Sequence, residues 1–92
     1  MNNRSLLRRA TRFTSDESAE WLKERMQQLR FSGLQELQDK TGIDKGSLSR
    51  YFRQERSPSI EVIAPLCTAL QVSPETILIA LGAIEQIGRA HV

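Results

Sequence analysis

Apolar residues recur along this chain at helical spacing, in five runs separated by short polar or proline-containing breaks. Trp21, Leu22, Met26 and Leu29 make the first stripe, with Lys23, Glu24, Arg25, Gln27 and Gln28 on the other side. Thr14 with Glu17 fits a capping box ahead of it, Ser15 is a competing N-cap, and Asp16 and Glu17 suit the positive end of a helix dipole. A first helix is therefore expected from there to about Arg30. Leu34, Leu37 and Thr41 follow at helical spacing behind a second capping box, Ser32 with Gln35, and ahead of Gly42, which suits a left-handed terminating position. They predict a short helix over 33–41.

Asp44 is an N-cap candidate for a third helix over 45–53, whose inner side is Leu48, Tyr51 and Phe52. Ser57, Pro58 and Ser59 then signal a new start, and Ile60, Ile63, Ala64, Leu66, Cys67 and Leu70 give a fourth helix a broad apolar face. Pro65 inside that run predicts a kink, or a helix only partly regular before it, because an interior proline costs ~3 kcal/mol. Ser73, Pro74 and Glu75 repeat the start signal for a fifth helix. Its apolar residues, Ile77 to Leu81, Ala83, Ile84 and Ile87, exceed what one buried face needs. Five helices and no strand candidate predict a compact all-α domain.

The chain of 92 residues is the size of one domain, and its 39% apolar and 26% charged residues are those of an ordinary soluble protein. A single cysteine, Cys67, and a single histidine, His91, exclude an internal disulfide and a His/Cys metal cluster. Cys67 is expected to be a core thiol. No nucleophile, base and orienting group stand together, so neither an enzyme nor a cofactor is expected. No secretory signal or membrane span is read, and the expected location is the cytoplasm.

The net charge of +2 is uninformative until it is resolved along the chain. Residues 1–13 carry Arg4, Arg8, Arg9 and Arg12 and no acid, so a basic N-terminal arm, expected to be flexible, precedes a domain over 14–88 and a tail over 89–92. The arm reads equally as a frayed terminus or as a nucleic-acid contact. The segments 14–44 and 57–92 are both net acidic, while Lys45, Arg50, Arg53 and Arg56 make 45–56 basic around the lone Glu55. A basic patch on one short helix is the electrostatic footprint of phosphate binding. Two short helices joined at Gly42 have the layout of a helix-turn-helix.

Phe31 to Leu78 resembles the lambda-repressor-like (Cro/XRE) helix-turn-helix family. The marks are Leu37, Gly42, Ile43 and Leu48, together with the tract PSIEVIAPLCTALQVSPETIL, which is similar to the family's Pro-Ser-Leu-Glu … Ala-Leu-Gly-Val-Ser signature. The resemblance implies five helices, binding to double-stranded DNA and transcriptional control. It puts Lys45, Gly46 and Arg50 at positions that face base edges, with Ser49 as a fourth. Arg50 is the first choice, because its planar fork can bond guanine O6 and N7 together. Ser47 and Arg53 match phosphate-contacting positions, Arg56 extends them, and backbone N–H groups near Ser32 offer a further phosphate site.

Two positions depart from the family pattern. Gln38 stands where the family usually has Ala, so its side chain must turn outward or open the angle between the two helices. Leu34 stands where a phosphate-binding Gln is common. Trp21 is expected in the core rather than as a base-stacking platform.

The expected function is a sequence-specific transcriptional regulator, a repressor occupying its operator as a homodimer, with no catalysis and no membrane. Ile79, Ala83, Ile84 and Ile87 form the candidate dimer seam, although Ile84 and Ile87 serve equally as caps on the domain's own core. The alternatives are an antitoxin of the same fold, which binds a toxin protein and autoregulates its operon, and a protein-interaction module.

Overall fold

The structure is a computed structural model that describes residues 11–86. Five α-helices follow one another among these residues: α1 (Ser15–Gln28), α2 (Leu34–Thr41), α3 (Lys45–Phe52), α4 (Ile63–Leu70) and α5 (Pro74–Ala80), with a 3₁₀ turn at Ile60–Val62 running into α4. Leu22, Leu37, Leu48, Phe52, Leu66, Leu70, Ile77 and Leu81 make one core to which every α-helix contributes.

The predicted starts of α1, α3 and α5 are realised. Thr14 and Glu17 form a reciprocal capping box, Asp44 caps α3, and Ser73 caps α5 with Pro74 at its first position. The Ser32–Gln35 box is absent. Gly33 is the N-cap of α2 without a side-chain bond, and the Ser32 N–H donates instead to Glu36 Oε1 at 2.7 Å. Glu36, in the first turn of α2, reaches back to that amide; Gln35 is turned toward Asp39 and Lys45.

Pro65 is accommodated as the second of the two alternatives expected. The chain is 3₁₀ before Ile63, so Pro65 is the third residue of α4, where a backbone N–H has no intrahelical partner to lose. Gln71 ends α4 in the left-handed conformation, and the Arg25 side chain crosses from α1 to hold that end. Its Nε donates to Leu70 O at 2.8 Å and its second terminal nitrogen to Gln71 O at 3.1 Å. Ile60–Leu70 and α5 meet at 105°. No single helix among the described residues is long and apolar enough to cross a membrane.

α5 is shorter than its apolar run. Gly82, at φ +75°, accepts the left-handed turn that stops the helix after Ala80, and its N–H and that of Ala83 close back on Ile79 O and Leu78 O. Ala83 and Ile84 therefore lie outside the helix. A second departure from a purely helical expectation is an isolated antiparallel bridge, in which Thr11 and Gln86 exchange backbone hydrogen bonds at 3.4 and 2.7 Å.

Trp21 is half-buried and stacks on Phe52, with ring planes 6° apart and centroids separated by 6.2 Å. The core reading of Trp21 holds, with an aromatic partner 31 positions away that its own neighbourhood in the sequence does not show. Cys67 packs against the core but is only half-buried, and desolvation pushes its thiol pKa up.

Candidate nucleic-acid interface

The turn between α2 and α3 is built from short-range chemistry. Gly42, at φ +78°, closes α2 through its N–H to Gln38 O at 2.7 Å. Thr41 Oγ1 donates to Leu37 O at 2.8 Å and accepts the Ile43 N–H at 3.1 Å, so the hydroxyl satisfies a backbone group on each side of the bend. Ile43 packs on the core between the two helices. The Gln38 side chain is half-buried and turned toward the start of α3, where its Oε1 accepts the Lys45 N–H at 2.8 Å.

α3 is amphipathic in a way that fixes its orientation. Leu48, Tyr51 and Phe52 are buried, which leaves Lys45 and Arg50 exposed and Ser49 half-buried on the other side. Asp44 Oδ2 accepts from Gly46 N at 2.9 Å and from Ser47 N at 3.2 Å. With Gln38 on Lys45, all three N–H groups of the first helical turn are satisfied internally. A Cβ on Gly46 would lie 2.8 Å from that capping oxygen, so Gly46 is the residue that lets the cap sit there.

The basic side chains differ in how they are held. Lys45 Nζ donates to Gln35 Oε1 at 3.2 Å, while Gln35 Nε2 donates to Asp39 Oδ1 at 3.1 Å. Arg53 Nε pairs with Glu55 Oε2 at 3.8 Å with both side chains more than half exposed, an arrangement contributing only ~0–1 kcal/mol and easily exchanged for another anion. The Arg56 guanidinium lies 5.9 Å from the centroid of the Tyr51 ring and donates to Ser47 Oγ at 3.4 Å. The Arg50 guanidinium has no ion-pair or hydrogen-bond partner among the described residues and stands over Gly46. Lys45, Gly46, Ser47, Ser49, Arg50, Arg53 and Arg56 are thus gathered on one short helix and the turn after it.

α3 ends in a Schellman motif without glycine. Gln54 takes the left-handed position at φ +59°, its N–H bonds Tyr51 O at 3.1 Å, and the Glu55 N–H bonds Arg50 O at 2.8 Å. Beyond it lies an open groove of about 580 Å³ lined by Arg12, Arg56, Ile60, Ile63, Leu78 and Ala83, among others. Ile60 is 86% exposed, the one large apolar residue among those described that is left in solvent. Arg12 therefore lies near the end of α3, whereas Arg4, Arg8 and Arg9 fall outside the described residues. Of the candidate seam, Ile79 and Ile84 are half-buried, Ala83 is exposed, and Ile87 again lies outside.

Ser32 precedes α2, and its N–H is taken by Glu36, so a phosphate there has a carboxylate to displace. Gln35, expected to cap α2, Gln38, expected only as a departure from the family pattern, and Arg25, expected only on a polar face, are engaged in bonds that composition and spacing did not show. Their partners lie 10, 7 and 45 or more positions away.

A family model described as Helix-turn-helix matches residues 22–77, from α1 into α5 and more than half of the chain. No curated protein and no solved structure matches it.

Proposed function

The chain belongs to the helix-turn-helix family, as a lambda-repressor-like (Cro/XRE) domain of DNA-binding transcription regulators, and from that premise we propose that it binds double-stranded DNA sequence-specifically and represses transcription. The observation that carries this reading is the outer face of α3. Lys45, Ser49 and Arg50 project from a helix whose other side is locked by buried Leu48, Tyr51 and Phe52, and Arg53 and Arg56 flank it.

In this reading α3 lies in the major groove. Arg50 takes a guanine edge with its two parallel donors, a contact worth ~1–3 kcal/mol of discrimination. Lys45 and Ser49 read neighbouring positions, and Gly46 adds no bulk between the helix and the bases. Ser47, Arg53 and Arg56 hold phosphates, which set register without carrying sequence information. Because the N–H groups of Lys45, Gly46 and Ser47 are already bonded, recognition at this end of α3 falls to side chains. Arg12, which lines the groove with Arg56, reaches a flanking phosphate in this reading, and Arg4, Arg8 and Arg9 are proposed as further arm contacts.

Two copies related by a twofold axis would set their α3 helices ~34 Å apart on a pseudo-palindrome. The surface proposed for that contact is the Ile60 groove, which Ala83 lines, with Ile79, Ile84 and Ile87 as further candidates, since Ile60 is the large apolar side chain left uncovered among the described residues.

Fluorescence anisotropy against duplexes selected from a random pool tests the proposal. Binding is expected at ~50 mM salt and should weaken steeply toward ~200 mM as counterions compete for the phosphates. Absence of binding at the lower salt would refute it.

A further inference from the structure

Gln38 occupies a pivotal place in the bend. Its backbone carbonyl accepts the Gly42 N–H and so ends α2, while its side-chain Oε1 accepts the Lys45 N–H and so begins α3. Gln35 stands one turn earlier on the same face of α2 and takes the Lys45 ammonium at 3.2 Å. The first residue of α3 is thereby held by two glutamines of α2, one on its backbone and one on its side chain.

We infer that Gln38 is a positioning residue for DNA recognition, setting the placement of the first turn of α3 on α2 and with it the angle at which Lys45, Ser49 and Arg50 meet the bases. This rests on the DNA-binding reading above. The physical case is that the bond has little to do with holding the fold together. An N–H at an exposed helix start is readily taken over by water, so losing the glutamine oxygen leaves no buried group unsatisfied. It does remove the one side-chain tie from α2 to the backbone of α3 among the described residues, leaving the turn at Gly42 and Ile43 and the apolar packing of Leu37 and Leu48, which constrains a helix's rotation less sharply than a directed bond, to set the angle. Phosphate contacts tolerate a small rotation of a helix; a bidentate contact to a base edge does not.

The experiment compares wild type, Gln38→Ala and Gln38→Glu for binding to a selected duplex and to a scrambled one across a salt series, with thermal melts of each protein. Gln38→Ala should stay folded and lose at least about fivefold in the selected-to-scrambled ratio, the lower end of what one misread base pair costs. Its salt slope should be unchanged because no phosphate contact is removed. Gln38→Glu retains an oxygen for the Lys45 N–H, so it should keep the wild-type ratio while its added charge weakens both duplexes together. Amide exchange of free protein should be faster at Lys45 in Gln38→Ala and not in Gln38→Glu. A wild-type ratio in Gln38→Ala, or loss of ratio in both variants, overturns the inference. Failure of wild type to bind any duplex at low salt overturns the DNA-binding reading itself and the inference with it.

Discussion

The side-chain amide of Gln54 donates to Ser18 Oγ at 2.8 Å and to Phe13 O at 2.7 Å, joining the residue just past α3 to the start of α1. Ser18 is fully buried and is the one buried polar residue among those described. Gly82 passes over the same amide, and a Cβ there would collide with Gln54 Nε2 in a backbone conformation, φ +75°, that side chains rarely adopt.

Removing the Gln54 amide leaves a buried hydroxyl without its partner, so Gln54→Ala should lose ~1–3 kcal/mol in urea unfolding. Gly82→Ala should cost ~1 kcal/mol or more from backbone strain, plus the displacement of Gln54. Because both changes disrupt one contact, the double variant should be less destabilised than their sum. Strict additivity would show that the two residues do not act through each other.

At the start of α3, Asp44→Ala should lose about 0.5–2 kcal/mol as the cap on Gly46 and Ser47 disappears. Gly46→Ala crowds that carboxylate but gains ~1 kcal/mol of helix propensity, so it should cost less than Asp44→Ala and should stabilise the Asp44→Ala background, where the clash is gone. Thermal melts of the three variants read this directly.

On DNA, Arg50→Ala should relax preference at one operator position, while Arg53→Ala should weaken all duplexes alike and shallow the salt slope by about one unit. Equal, sequence-blind losses from both would reassign the base reader.

Ile60→Glu places a charge on the most exposed large apolar side chain of the described fold. If the groove beside it is the seam between copies, sedimentation should show wild type associating with rising concentration and the variant remaining monomeric, with unfolding unchanged to within about 0.5 kcal/mol. Association that survives the change would place the seam elsewhere.

Burial raises the Cys67 pKa and so lowers its thiolate fraction at neutral pH. Alkylation of the folded protein at pH 8 should be slower than that of the urea-unfolded chain. The raised value favours the fold below the ordinary thiol pKa, and that contribution disappears as pH rises through the folded value.

Where a residue's structural job is done by near neighbours, the sequence was readable. Thr14 with Glu17, Asp44, Gly42 and Ser73 with Pro74 each mark a boundary through bonds no more than four residues long, and each boundary is where those residues predict it. Helix ends at Arg30, Gln54 and Gln71 carry no such mark, because all three take the left-handed conformation without being glycine. Apolar periodicity likewise ran past Gly82, since it records which residues avoid water and not whether the backbone still turns as a helix. The basic character of α3 was legible from charge alone. What ties it to its surroundings was not, since the links from Gln35 and Arg56 to its side chains and from Gln38 to its backbone form only once α2, α3 and the following turn have been brought together.

The Thr11–Gln86 bridge brings the two ends of the described fold side by side, so the path of the chain is almost a closed loop. Tension applied at those ends acts across the two hydrogen bonds one after the other, as in opening a zipper. Peeling from those ends would therefore reach Arg12 and Phe13, then the Gln54 contact, before it reached the core.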